Sequence, residues 1–74
     1  MKPSEVIELL DRLHFVPFDI RTSDGRVYRV EHPEFIMRSR DGTSIYYQTD
    51  DDRHVRIDSH HVVAVEDVNS PAAR

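Results

Sequence analysis

The chain has 74 residues, with 14 Asp and Glu against 10 Lys and Arg, a formal net charge of −4, and no cysteine. A single domain of that length buries only about 60% of its unfolded surface, so packing or partners must supply what disulfides and thiolate metal sites cannot. The acidic balance builds in no long-range attraction to phosphate, and no apolar run approaches the roughly 20 residues of a bilayer-spanning helix.

Pro3 to Leu13 reads as a helix: Pro3 suits the first helical position, Glu5 and Glu8 favour its positive end, and Val6, Leu9, Leu10 and Leu13 recur at helical spacing. Ile7 widens the apolar stripe, which suits a helix lying across the open end of a sheet or barrel. Pro17 forbids continuation and pushes Val16 to extended geometry.

Two alternating runs follow, Phe18 to Thr22 and Arg26 to Glu31, with Asp24-Gly25 between them supplying the positive-φ residues of a tight hairpin. Phe18, Ile20, Tyr28 and Val30 fall on the inner face and Asp19, Arg21, Arg29 and Glu31 on the outer. Pro33 interrupts the pattern, a third strand starts at Phe35 and runs through Arg38, and Asp41-Gly42 marks the next turn. Ile45 to Thr49 is β-branched and aromatic enough for a fourth strand, ended by Asp50-Asp51-Asp52, a solvated turn. Val55 and Ile57 alternate with His54, Arg56 and Asp58, Ser59-His60-His61 forms a short connection, and Val62 to Val65 closes as a strand apolar on both faces. The expectation is a mainly β domain over residues 1–68, with one N-terminal helix and about five short antiparallel strands in a small bent sheet or barrel, followed by a flexible tail over 69–74.

The element order from Val16 to Glu66, with Asp-Gly at the first hairpin, a bend after the second strand and a short polar connection before a final apolar strand, resembles the Sm-like fold of bacterial Hfq; an SH3-like barrel fits the same pattern. More locally, the Pro-Phe start, the Asp-Gly-Arg hairpin and the His-Pro-Glu-Phe segment within PFDIRTSDGRVYRVEHPEFIM resemble a group of small bacterial proteins, a likeness that brings no activity with it. The Sm-like resemblance implies rings built by pairing the fourth strand of one subunit with the fifth of the next, and RNA bound at pore loops. Those loops would be His32 to Phe35 and Asp58 to His61. The second lacks the Tyr-Lys-His of Hfq and the Arg-Gly of Sm relatives, and a neutral histidine is a poor substitute for lysine at a phosphate.

Nine of the ten cations are arginine. Arginine forks suit phosphate and base edges, and an arginine-favouring codon composition produces the same bias. His32, Phe35, Arg38, Arg56, His60 and His61 are the candidate contacts to a single-stranded RNA or a protein partner, through stacking and charge. His32 and Glu34 beside Phe35 have a structural reading as well, in which Pro33 sets the bend, His32 or Glu34 caps loop amides and Phe35 returns to the core. The histidines from His54 to His61 lie near turns without the spacing of a helical metal pair, so no metal or cofactor is expected. They would instead make assembly sensitive to mildly acidic pH. Catalysis finds no support: there is no cysteine nucleophile, no glycine-rich phosphate loop, and Ser59 beside two histidines is adjacency rather than a triad. The sequence therefore points to a cytoplasmic, non-catalytic interaction or structural module that self-associates through strand edges, with an Sm-like RNA-binding regulator as the second reading.

Overall fold

The computed structural model describes residues 1–68; the expected tail, 69–74, lies outside them. The elements are α1 (Pro3–Leu10), β1 (Phe18–Thr22), β2 (Val27–Val30), β3 (Ile36–Arg38), β4 (Ser44–Gln48), β5 (His54–Asp58) and β6 (Val62–Asp67), with single turns of 3-10 helix at Pro33–Phe35 and Ser59–His61. The strands form two antiparallel three-stranded sheets, ordered β2-β1-β6 and β3-β4-β5. The domain is mainly β with one N-terminal helix, as its alternation indicates, but there are six strands rather than about five, and the described residues form no closed barrel. His32 and the Pro33–Phe35 turn separate β2 from β3, and among the described residues no ladder joins the two sheets, either there or between β5 and β6.

The core between the sheets consists of Val6, Phe18, Ile20, Val30, Ile45, Ile57 and Val62. Each strand residue among them is at an inward position of its period-2 pattern, and Val6 is the point at which α1 enters. The helix is shorter than its apolar spacing predicts. It ends at Leu10 with Asp11 as C-cap, and Leu13, counted in the stripe, is 92% exposed. The reason is tertiary: Arg38 on β3 binds the Asp11 carboxylate at 2.6 and 3.1 Å, and the Arg12 guanidinium turns to the Val16 carbonyl at 2.9 Å. Gly42 lets α1 sit down on the β3–β4 hairpin. It is buried at φ +80°, and a Cβ there would stand 2.3 Å from the Pro3 carbonyl oxygen and 3.0 Å from Ile7.

The Asp24-Gly25 hairpin has a three-residue loop, not a two-residue one. Only Gly25 takes positive φ (86°), Gly25 N–H donates to the Thr22 carbonyl at 3.0 Å, and Thr22 N–H reaches the Arg26 carbonyl at 3.0 Å. The same design recurs at Thr49-Asp50-Asp51-Asp52-Arg53, where Asp52 takes φ 69°, Asp52 N–H donates to the Thr49 carbonyl at 3.1 Å and Thr49 N–H to the Arg53 carbonyl at 2.8 Å. In both turns the threonine hydroxyl donates to the aspartate two residues on, Asp24 and Asp51. Ser39, Asp41 and Gly42 repeat the design in a loop one residue longer, with the Ser39 hydroxyl 2.9 Å from Asp41 and Ser39 N–H donating to the Ser44 carbonyl. A Thr/Ser-x-Asp element thus builds all three hairpins, a repeat hidden in the sequence by the substitution of Asp52 for glycine.

β6 was expected to be covered on both faces. Instead Val62 is buried and Val63 is 60% exposed. Arg21 pairs with Ala64 and Thr22 with Val62, which leaves Val63 as the extra residue of a β-bulge that turns it out of the ladder.

Candidate functional site: the free strand edges

Four strands border the two sheets, and their free sides differ. Hydrogen-bond register says which backbone groups each one offers, because opposed residues in an antiparallel pair alternate between bonded and unbonded.

On β2 the closing bond between Thr22 and Arg26 fixes 20/28 and 18/30 as the other bonded pairs, so Val27 and Arg29 direct their backbone groups outward. That side is closed from the other sheet: the Tyr47 hydroxyl donates to the Arg29 carbonyl at 2.6 Å, with its ring edge-on to Tyr28 at 5.6 Å. Burial raises the Tyr47 pKa and keeps the hydroxyl protonated as that donor. β3 is only three residues long and lies beside α1, with Arg38 tied to Asp11. β6 carries the bulge at Val63, which twists an edge away from pairing.

β5 has none of these devices. Its five residues pair with β4 without a register break, from Gln48↔His54 to Ser44↔Asp58. Thr49 N–H to the Arg53 carbonyl at one end, and Ser59 N–H to the Thr43 carbonyl at 2.9 Å at the other, fix 47/55 and 45/57 as the bonded pairs. The N–H and C=O groups of His54, Arg56 and Asp58 therefore point away from β4, and no other described strand pairs with them. Below that edge the two sheets stand apart around a groove of about 260 Å³, lined in part by Tyr28, Arg56, Ile57 and His61. On the solvent face, Met37, Tyr46 and Arg56 form a cross-strand row leading to the edge, with Met37 63% and Tyr46 42% exposed.

No protein-family model, curated protein or solved structure matches the chain. The geometry alone therefore carries the functional reading.

The six residues singled out from the sequence do not gather at one place. His32 and Phe35 stack edge-on at 5.5 Å on the first 3-10 turn, where the His32 side chain makes no capping bond and Phe35 is only half-buried. Arg38 is committed to structure, donating to Asp11 and to the Ser39 and Arg40 carbonyls. His60 sits on the second 3-10 turn, its amide donating to the Asp58 carboxylate at 3.0 Å. His61 Nδ1 lies 3.2 Å from the Ser23 hydroxyl, and it shares the β5 groove with Arg56. They fall into two localities apart from Arg38: His32 with Phe35, and Arg56 with His61 and, next to it, His60.

Six of the eight described arginines pair with carboxylates: Arg12 with Asp67, Arg21 with Glu66, Arg26 with Asp24, Arg29 with Asp19, Arg38 with Asp11 and Arg53 with Asp51. The pairs with Arg38 and Arg29 hold the Asp11 and Asp19 carboxyls below the usual carboxylate range, chiefly by direct hydrogen bonding. Arg40 and Arg56 have no carboxylate within 4.0 Å among the described residues, and Arg56 has only a long contact of 3.4 Å to the Ser44 hydroxyl. Among the described residues no three His, Asp or Glu side chains converge to hold a metal ion, and no helix is long and apolar enough to cross a membrane.

The sequence pattern placed His54, Arg56 and Asp58 on one strand face, with His54 read as part of a histidine cluster and Asp58 as the start of a loop, not as parts of a strand edge. Their interest comes from the edge, and whether a strand borders a sheet is decided by topology rather than by its own alternation.

Proposed function

We propose that this protein is a small non-catalytic interaction module that self-associates by pairing a strand edge, and that the edge it uses is β5. The observation that carries the reading is the contrast among borders: β2 is capped by Tyr47, β3 lies beside the helix, β6 is bulged, and β5 presents outward backbone groups at His54, Arg56 and Asp58 in regular extended geometry. Unpaired donors and acceptors in a row are a template for another strand. A core of seven buried apolar side chains gives so small a domain reason to gain from a partner.

The connectivity supports an Sm-like or SH3-like reading of the fold within this proposal. β2 and β3, joined by one 3-10 turn, act as a single bent strand, and a second 3-10 turn precedes the final strand. The RNA-binding alternative has less behind it, because the arginines are scattered among carboxylates rather than collected on one basic face with an aromatic.

Sedimentation velocity over about 10 µM to 1 mM tests the reading. The expected result is a concentration-dependent rise in mass that is lost in Arg56→Pro, a substitution that removes an outward N–H together with the guanidinium and spares the β4 ladder. A monomer throughout, or association untouched by Arg56→Pro, overturns it.

A further inference from the structure

The charge order on the β5 edge specifies what pairs with it. Resting on the proposal that this edge is the site of association, we infer that its occupant is the same edge of a second copy, set antiparallel about a two-fold axis through Ile57.

A bonded antiparallel pair must join residues whose backbone groups both point outward, and on β5 these are His54, Arg56 and Asp58. Three registers of β5 on itself form more than one such pair within the strand. Centring on Arg56 sets the two Arg56 side chains opposite each other on the axis, with His54 against Asp58 on either side. Centring on Val55 sets His54 against Arg56 of the second copy and forms no oppositely charged pair. Centring on Ile57 sets Arg56 of each copy against Asp58 of the other, twice by symmetry. Opposite charges directly across a ladder stabilise it and like charges destabilise it, so the third register is selected.

The side chains are free to do this. Arg56 has no carboxylate partner in its own chain among the described residues, and both Arg56 and Asp58 are exposed. Asp58 accepts only the His60 amide at 3.0 Å through one oxygen, which leaves the other available. The pairing would extend β3-β4-β5 into a continuous six-stranded sheet and carry the solvent-side row Met37, Tyr46, Arg56 on to Asp58 and Ser44 of the second copy. It is closed and symmetric, so it makes a dimer. Pairing β5 with the bulged β6 would instead be head-to-tail and build a ring or a filament.

Charge exchange tests the register. Arg56→Asp faces Asp58 with a carboxylate and Asp58→Arg faces Arg56 with a guanidinium, so each variant alone puts two like-charge pairs across the axis. Sedimentation should show dimerisation about tenfold or more weaker in each. An equimolar mixture restores two opposite pairs in a heterodimer, and association should return to the wild-type level. Circular dichroism melts check that each variant is folded, since Asp58→Arg also removes a turn cap. The double variant Arg56→Asp/Asp58→Arg keeps both pairs inverted and should dimerise as the wild type does. A wild-type dimer that neither single variant weakens, variants that mixing does not rescue, or a mass growing past two subunits overturns this register while leaving self-association standing. A wild-type chain that stays monomeric removes the underlying reading as well.

Discussion

β2 and β5 both border a three-stranded sheet, and both carry an arginine at an outward-facing backbone position, yet they present different surfaces. At Arg29 the guanidinium is held by Asp19 at 2.9 and 3.2 Å and the carbonyl by the Tyr47 hydroxyl, so side chain and backbone are both occupied. At Arg56 the guanidinium has only the 3.4 Å contact to the Ser44 hydroxyl, and the outward backbone groups have no strand partner among the described residues. The difference is not in the strands themselves. β2 is closed because Tyr47 from the opposite sheet crosses the junction, whereas beside β5 the sheets diverge into a groove. An edge in a two-layer domain is thus closed or open according to what the other layer brings to it.

The comparison can be broken first at the helix, which flanks β3. Gly42→Ala forces a Cβ into the Pro3 carbonyl and a positive φ on alanine, and should cost about 3 kcal/mol or more in chemical denaturation. Gly25→Ala, where the Cβ would meet nothing within 4 Å, is the control and should lose only the backbone penalty of about 1–2 kcal/mol. Equal losses would show that the helix does not press on Gly42.

A smaller effect is expected from Tyr47→Phe, which uncovers β2 without disturbing the ring contact with Tyr28. The lost hydrogen bond should lower stability by about 1 kcal/mol, and an unchanged denaturation midpoint would mean that the hydroxyl does not close that side. In the opposite direction, Asp52→Gly relieves the positive φ of the turn that launches β5. It should raise stability by about 0.5–1 kcal/mol, measurable as a higher melting temperature, with the edge side chains unchanged.

Acid should act through the arginine-held carboxylates. Asp11 and Asp19 have pKa values lowered by Arg38 and Arg29, so their contribution is present above the normal carboxylate pKa and is lost as pH falls through the lowered values. Melting temperatures should therefore decline below about pH 4, and Arg38→Gln should flatten that decline. A pH-independent melting temperature there would show that these exposed pairs contribute nothing.

Much of the scaffold was legible in the residues. Alternation at Phe18, Ile20 and Thr22 fixed β1 and its buried face, and the Asp-Gly pairs located two turns. Other features depend on partners distant in sequence. Leu13 has helical spacing, but Asp11 and Arg12 are drawn to Arg38 and Val16 and end the helix before it. Asp50-Asp51-Asp52 is legible as a turn, but its kinship with the Asp-Gly hairpins is hidden because aspartate occupies the positive-φ position. The candidate site was the least legible part: His54, Arg56 and Asp58 share a face by simple period-2 spacing, but only the order of the strands makes them a border.

Backbone amide exchange along β5 reports which border of the sheets is open. In dilute samples Val55 and Ile57, bonded to β4, should be protected while the amides of His54, Arg56 and Asp58 exchange freely. Arg56 and Asp58 should become protected as the concentration rises. Protection of all five amides at low concentration, or a concentration-dependent gain at β2 or β6 instead, would contradict the assignment of β5 as the open edge.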